Sequence, residues 1–110
     1  MALFDKWYAA MESRDIDAAA ACIHQEYKFI RHQSGTSMNR AEMLGMLTQM
    51  FASDAVKVHS HRCLYENDEV LVEHSVMDFP DGSTEAVLTF CRLKDGQFIE
   101  AETGATLLKR

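Results

Sequence analysis

Three histidines have the spacing expected of residues that could do chemistry together. His59 and His61 lie two residues apart, which places both imidazoles on one side of a strand. A hairpin centred on the turn that follows sets His74 opposite His61. An imidazole beside an acid in an apolar wall supports acid/base catalysis. We therefore predict His74 and His61 as the catalytic residues.

Two acids are predicted on the same face as these histidines. Glu100 and Glu102 lie on the last predicted strand, and the predicted register gives one row across the sheet: His61, His74, Thr89, Glu102. The alternative is an end strand whose acids reach water. Glu102 is accordingly grouped with the predicted ligand-binding residues.

The same histidines raise the question of a metal. Three imidazoles could hold zinc, and the alternative is that His59, His61 and His74 are hydrogen-bonded pocket or surface residues. A metal site also needs supporting groups around its ligands, which a single sequence does not reveal. We predict no metal site and no cofactor.

The elements that would position these residues follow from hydrophobic periodicity. Apolar residues recur at helical spacing in three segments. The first spans residues 2–12, and the second is capped by Asp15 and ends near His24. The third runs from Asn39 to Phe51. Asn39 with a glutamate three residues later resembles a capping box. A strand is expected over residues 27–32. Three helices and one strand are therefore predicted in the first half of the chain.

The second half changes to a period of two, which is typical of strands. Turn signals at Asn67-Asp68, Asp81-Gly82 and Asp95-Gly96 separate runs rich in β-branched and aromatic residues. The predicted strands span residues 56–66, 69–79, 84–94 and 97–107. They form a curled antiparallel four-stranded meander. The fold class is α+β, with a single domain over residues 1–110.

The face of the sheet opposite the histidines carries its own apolar group. The predicted members are Leu64, Leu71, Leu88, Phe90 and Ile99. Three helices can cover one face of such a sheet but not both, and an exposed apolar patch of this size is unusual in a monomer. We therefore expect a homodimer in which a partner subunit covers this second face.

Composition narrows the class of partner and the compartment. The 110 residues contain 11 Lys+Arg and 17 Asp+Glu, a net charge of −6, and the basic residues form no run. Nucleic acid and membrane surfaces are therefore not expected as partners, and no apolar stretch approaches the roughly 20 residues of a membrane span. Three widely spaced cysteines, Cys22, Cys63 and Cys91, fit reduced thiols in a cytoplasmic protein.

The order of elements and three segments resemble a known superfamily. The segments are RDIDAAAACIHQEYKFIRHQSG, NRAEMLGML and LKDGQFIEAETG. Together they resemble the nuclear transport factor 2-like superfamily, and SnoaL-like members in particular. The resemblance implies a cystatin-like α+β cone whose curled sheet encloses an apolar pocket, in many members as a homodimer. Some members are ketosteroid isomerases, polyketide cyclases, dehydratases or epoxide hydrolases, and others only bind or associate.

The resemblance also shows where this chain departs from the steroid isomerase. Aligning the Asp15-Ile16-Asp17 and Asp95-Gly96 segments puts Trp7, Arg31 and Thr89 at the positions of that enzyme's helix tyrosine, strand aspartate and second acid. None of the three can play the original role, because an indole, a permanent cation and a weakly acidic hydroxyl replace an acid or a base. The isomerase mechanism is therefore not expected.

The residues expected to line the pocket indicate the class of ligand. Besides the two histidines, they are Trp7, Tyr27, Phe29, Arg31, Thr89 and Glu102. Tyr27, Phe29 and Arg31 alternate along one strand, so two rings and one guanidinium point the same way. This set suits a small apolar or aryl-carboxylate ligand. The anion is expected only if neither Glu100 nor Glu102 already neutralises Arg31.

Two functions follow from these observations. The first is a small-molecule-binding protein that acts as an acid/base enzyme of the SnoaL-like type, an isomerase, cyclase, dehydratase or hydrolase without an organic cofactor. The alternative is a non-catalytic homodimeric association module, in which the sheet forms an interface and the pocket has no ligand.

Overall fold

Three helices and six strands make up the fold of the computed structural model, which describes residues 2–108. The helices are α1 (Leu3–Ser13), α2 (Ile16–Ala21) and α3 (Arg40–Phe51). The strands are β1 (Ile23–Arg31), β2 (Thr36–Asn39), β3 (Lys57–Glu66), β4 (Val70–Asp78), β5 (Thr84–Lys94) and β6 (Gln97–Leu108). No helix within residues 2–108 is both long enough and apolar enough to cross a membrane.

Side-chain caps fix where the helices begin. The Asp15 carboxylate accepts the backbone N–H groups of Asp17 and Ala18 at 3.1 Å each. Asn39 and Glu42 form the predicted reciprocal capping box, with distances of 2.9 and 3.0 Å. Both caps satisfy helix N–H groups that have no partner inside their own helix, which is why the sequence alone located these two starts correctly.

The second helix is shorter and the first strand longer than predicted. Helix α2 ends at Ala21 rather than near His24, and β1 starts at Ile23 rather than at Tyr27. The Cys22 carbonyl accepts a hydrogen bond from the Phe98 N–H at 2.8 Å, at the point where β1 begins to pair with β6. Parallel pairing with a strand from the far end of the chain therefore sets this boundary, and local periodicity does not contain that information.

The sheet has the order β2-β1-β6-β5-β4-β3, with β1 parallel to β6 and all other pairs antiparallel. The predicted α+β class and the meander of β3 to β6 are confirmed. The predicted total of five strands is wrong, because β2 also pairs with β1 across the Ser34-Gly35 turn. At four residues, β2 is too short to show a period.

The hairpin between β3 and β4 differs from its predicted register because its turn lies one residue further on and β3 contains bulges. The Asn67 N–H donates to the Val70 carbonyl at 2.9 Å, so the turn residues are Asp68 and Glu69. Irregularities in β3 then shift the pairing between Val58 and Ser60 and between Cys63 and Tyr65. As a result His61 lies opposite Ser75 and His74 lies opposite Arg62. The predicted pairing of His61 with His74 is wrong.

The hairpin between β4 and β5 also differs, because its loop has three residues instead of two. The Phe79 N–H donates to the Ser83 carbonyl at 2.9 Å, which leaves Pro80, Asp81 and Gly82 in the loop. Gly82 has a φ of 87°, a left-handed conformation that glycine adopts without strain. His74 therefore pairs with Leu88 and not with Thr89.

The last hairpin has the predicted turn but not the predicted register further along. Asp95 and Gly96 have φ values of 55° and 73°, as expected for a two-residue Asp-Gly turn. A bulge between Arg92 and Leu93 then adds one residue on β6. Thr89 consequently lies opposite Thr103, and the predicted pairing of Thr89 with Glu102 is wrong.

The helices pack against one face of the sheet, which we call the inner face. The buried apolar core that results contains Leu3, Ala10, Ala19, Cys22, Ile23, Tyr27, Met43, Leu47, Leu71, Cys91, Phe98 and Ala101. Leu71, predicted on the opposite face, is 0% exposed. The other face, which we call the outer face, exposes Leu64, Leu88 and Phe90 as predicted.

Candidate functional site

A line of polar residues crosses the inner face where an apolar core would be expected. The positions are paired from strand to strand, and we call them the inner row: Cys63, Glu73, Thr89, Thr103 and Arg31. Thr103 is 5% exposed, so the row passes through the interior of the cone. Burying polar groups costs free energy unless they find partners, which makes their partners informative.

A buried histidine–glutamate pair stands at one end of this row. His61 Nε2 lies 3.2 Å from Glu73 Oε1, and the two side chains are only 10% and 13% exposed. The second carboxylate oxygen, Glu73 Oε2, is buried and has no hydrogen-bond partner within residues 2–108. One oxygen of the carboxylate is thus held by the imidazole, while the other is available to a further group.

Helix α1 holds the imidazole of this pair in place. The ring of Tyr8 stacks on the His61 ring at 5.6 Å between centroids, and the ring of Phe4 meets it edge-on at 5.0 Å. The helix is anchored in turn by Glu66, whose Oε2 accepts the Leu3 N–H at 2.9 Å. Aromatic packing of this kind restricts the rotation of the imidazole and keeps its Nε2 facing Glu73.

The other acidic groups near Glu73 are kept protonated. Burial raises the pKa of the Tyr27 hydroxyl, and the nearby Cys91 and Glu73 raise that pKa further. Burial also raises the pKa of the Cys91 thiol, again with a contribution from Glu73. Neither Tyr27 nor Cys91 is therefore an anionic base or nucleophile near neutral pH.

Arg31, at the other end of the inner row, has an acidic partner that the sequence analysis did not name. Its Nη2 lies 3.2 Å from Oε1 of Glu85, whose side chain is 6% exposed. The Arg31 guanidinium also lies 5.7 Å from the centre of the Phe79 ring. The expected competitors lie elsewhere: Glu102 contacts His32 at 2.7 Å and Glu100 contacts Arg92 at 3.4 Å.

Five of the eight predicted site residues lie on the inner face of the sheet. These are Tyr27, Phe29, Arg31, His61 and Thr89, which the structure brings to the inner face. Trp7 packs edge-on against Phe98 at 5.3 Å and belongs to the apolar core. His74 and Glu102 lie on the outer face, opposite Arg62 and Phe90 respectively.

Glu73, Glu85 and Thr103 were not predicted from the sequence as interior residues, yet they lie on the inner face. Strand β4 alternates two sets of residues, and the first contains three valines where the second contains an acid and a serine: Val70, Val72, His74 and Val76 against Leu71, Glu73, Ser75 and Met77. That pattern favours the wrong set for the inner face. The burial of Leu71 and the contact of Glu66 with helix α1 reverse the assignment, and both are visible only in the structure.

The three histidines do not converge on a metal site. His59 Nε2 lies 2.8 Å from Asp78 Oδ2, His61 pairs with Glu73, and His74 lies on the outer face. Over the described stretch, residues 2–108, no group of three or more His, Cys, Asp or Glu side chains is arranged to hold a metal ion.

Two open depressions mark the surface of the cone. One, of about 490 Å³, is lined by Ala55, Lys57, Asp78, Phe79, Pro80, Gly82 and Thr84. The other, of about 340 Å³, is lined by Tyr27, Lys28, Ser37, Met38, Asn39 and Glu42. Phe79, in the lining of the first depression, lies beside the Arg31 guanidinium, 5.7 Å from its ring centre.

Comparison with known proteins identifies this architecture. The family model described as SnoaL-like domain matches residues 4–101. The chain belongs to the SnoaL-like domain family. The predicted resemblance to the nuclear transport factor 2-like superfamily is thereby confirmed. No curated protein sequence matches the chain.

Solved structures show the same fold at low sequence identity. An NTF2-like protein of unknown function from Mesorhizobium loti matches with a TM-score of 0.79 and 13% identity, covering 94% of this chain and 88% of that one. An NTF2-like protein from Cytophaga hutchinsonii ATCC 33406 matches with a TM-score of 0.75 and 13% identity, covering 94% and 87%. A protein from Kribbella flavida DSM 17836, provisionally named a ketosteroid isomerase, matches with a TM-score of 0.75 and 14% identity, covering 98% and 78%.

Proposed function

We propose that this SnoaL-like protein binds a small, largely apolar molecule inside the cone and moves a proton on it with Glu73 and His61. The observation that carries the proposal is the buried pair, in which His61 holds one oxygen of Glu73 while Oε2 has no partner among the described residues. The fold supports it, because structural neighbours include a protein provisionally named a ketosteroid isomerase. His74, on the outer face, has no part in this proposal.

The geometry suggests which atom acts as the base. With His61 Nε2–H donating to Glu73 Oε1, Oε2 accepts a proton from a C–H group of the ligand next to a carbonyl. The C–H bonding pair moves into the ligand and reaches the carbonyl oxygen as an enolate. Glu73 then gives a proton, either the one it took or one exchanged with water, to a carbon of the same ligand, so that no atom is gained or lost. Tyr27 and Cys91 do not compete as bases, because both stay protonated.

Charge in the interior favours an uncharged ligand over an aryl carboxylate. Glu85 already neutralises Arg31, the residue on which the expected preference for an anion rested. Glu73 adds an acidic group at the other end of the inner row. A carboxylate entering this space would face Glu73 while Arg31 is already paired with Glu85, which costs free energy.

The test is proton exchange on a small ketone. We use 2-indanone in D₂O and follow deuterium incorporation at its CH₂ groups by NMR. The wild type is expected to exceed the buffer rate, and Glu73→Gln is expected to lose about a hundredfold or more of this enhancement, the usual contribution of a positioned base. Glu26→Gln, which changes an exposed glutamate on β1, is the control. Equal rates for wild type and Glu73→Gln would refute the role of Glu73.

We also propose a homodimer formed through the outer face. Leu64, Leu88 and Phe90 are 46%, 47% and 36% exposed there, which is unusual for neighbouring large apolar side chains in a monomer. The same face carries Arg62, Arg92, Glu100 and Glu102, so charges of both signs are available to a two-fold contact. Sedimentation should show a dimer for the wild type and a monomer for Leu88→Asp. A wild type that sediments as a monomer at micromolar concentration contradicts this proposal.

The same exposed face supports the second candidate function, a non-catalytic association module. The association module is favoured if the wild type forms a stable dimer but neither binds 2-indanone nor exchanges its protons. The enzyme is favoured if Glu73→Gln still binds 2-indanone but no longer exchanges its protons.

A cytoplasmic location remains part of the proposal. Cys22, Cys63 and Cys91 are all free thiols. Free buried thiols suit a reducing compartment, where disulfides seldom persist. Titration of the unfolded, unreduced protein should find three thiols, and finding one would contradict this assignment.

A further inference from the structure

Thr103 is a buried hydroxyl without a partner at the centre of the cone. It lies on β6 in the inner row and is 5% exposed. Its Oγ1 atom makes no hydrogen bond to any group in residues 2–108. A threonine hydroxyl can donate one hydrogen bond and accept two, and buried hydroxyls in folded proteins nearly always use at least one of these. The lack of any partner therefore needs an explanation.

The arginine beside Thr103 is engaged elsewhere. Arg31 is paired with Thr103 in the register of β1 and β6, yet its guanidinium reaches Glu85 and the ring of Phe79. Thr89 lies on the other side, between Thr103 and Glu73. The Arg31 side chain is thus held by Glu85, and Thr103 Oγ1 stays without a partner among residues 2–108.

We infer that Thr103 is a ligand-binding residue that donates its hydroxyl hydrogen to an uncharged oxygen of the molecule in the cone. The inference rests on the proposed function, because it takes the interior as the ligand site. It adds a second polar anchor to that site, on the opposite side of Thr89 from Glu73.

The spacing of the two anchors limits the size and chemistry of the ligand. Glu73 and Thr103 lie on strands separated by β5, so their backbones are about 9 to 10 Å apart. Side chains on the inner face of a curled sheet converge, and each polar contact takes up about 3 Å. A ligand with one oxygen within a few bonds of the group that faces Glu73 can therefore touch both.

A matched pair of probes isolates this contact. 2-Indanone and indane have the same ring skeleton and differ by one carbonyl oxygen. We expect the wild type to bind 2-indanone about two- to tenfold more tightly than indane, the range for one net hydrogen bond between uncharged groups. Thr103→Val, which keeps the shape of the side chain, should abolish that difference, and Thr103→Ser should retain it. Thr106→Val is the control, because Thr106 is exposed on the same strand.

The melting temperature of Thr103→Val gives a second measurement, which would change if the Thr103 hydroxyl had a purely structural role. Because the hydroxyl has no internal partner, Thr103→Val should melt at the same temperature as the wild type or higher in the absence of ligand. A melting temperature lower by several degrees means that the hydroxyl is used within the fold, and it overturns the inference. An unchanged preference for 2-indanone in Thr103→Val overturns it as well.

The two proposals fail in different ways. Loss of proton exchange in Glu73→Gln, together with loss of the preference for 2-indanone over indane in Thr103→Val, supports both residues in their roles. If Glu73→Gln exchanges normally but Thr103→Val loses its preference for 2-indanone, Thr103 binds the ligand and Glu73 is not the base.

Discussion

The two faces of the sheet each carry a histidine–glutamate pair, and the comparison between them shows what makes such a pair useful. On the outer face, His32 and Glu102 are 2.7 Å apart and their side chains are 59% and 44% exposed. On the inner face, His61 and Glu73 are 3.2 Å apart but only 10% and 13% exposed. The shorter contact is the weaker one, because water screens it. Burial, rather than distance, distinguishes the candidate site.

The largest expected difference between the faces concerns two leucines. Leu71 is 0% exposed on the inner face and Leu88 is 47% exposed on the outer face. We expect Leu71→Ala to lower the free energy of unfolding by about 2 to 5 kcal/mol, because it leaves a cavity. Leu88→Ala should lower it by less than about 1 kcal/mol in the monomer. Urea unfolding at a protein concentration too low for dimerisation measures both variants. Equal losses of unfolding free energy would show that the outer face is buried.

The two histidine–glutamate pairs allow a direct test of burial. His61→Ala leaves the Glu73 carboxylate buried without its partner and removes the ring that packs on Phe4 and Tyr8. The expected loss of unfolding free energy is about 2 to 4 kcal/mol. His32→Ala should cost no more than about 0.5 kcal/mol, the range of exposed pairs. A similar cost for both variants, measured by chemical denaturation, contradicts the comparison.

Two arginine–glutamate pairs extend the comparison to ligand charge. Glu85→Gln frees Arg31, and we expect it to raise the affinity for indane-2-carboxylate by about 1 to 2 kcal/mol, since a hydrogen bond to a charged group becomes available. Glu100→Gln frees Arg92 on the outer face and should leave that affinity unchanged. Calorimetric titration with the carboxylate and the neutral 2-indanone checks this. Tight binding of the carboxylate by the wild type restores the aryl-carboxylate ligand first expected.

Alkaline pH tests the burial of two further residues on the inner face. Burial raises the pKa of Tyr27 and of Cys91 in the folded state. Near pH 9 to 11 the unfolded chain loses protons that the folded chain keeps, so stability falls as pH rises and is fully present below the unfolded pKa values. Each group contributes a slope of about 1.4 kcal/mol per pH unit. Cys91→Ala should reduce the slope, and a flat profile for the wild type contradicts burial of both groups.

Local chemistry in the sequence determined the class of fold and many boundaries. The caps at Asp15 and Asn39 and the Asp95-Gly96 turn depend on residues within a few positions of one another, and all three are where the sequence predicts them. The change of period from 3.6 to 2 gave the helices and the long strands for the same reason. The free cysteines also agree with prediction.

Only the tertiary structure decided which residues face the interior. Each bulge or extra loop residue moves every later side chain of a strand to the other face, because side chains alternate with a period of two. Because of such shifts in three hairpins, Glu73 and Thr103 lie on the inner face in the row where His74 and Glu102 were predicted. Whether a bulge forms depends on packing against α1 and on pairing across the sheet, between residues far apart in the chain. The sequence therefore specified the elements of this protein, and long-range packing specified its site.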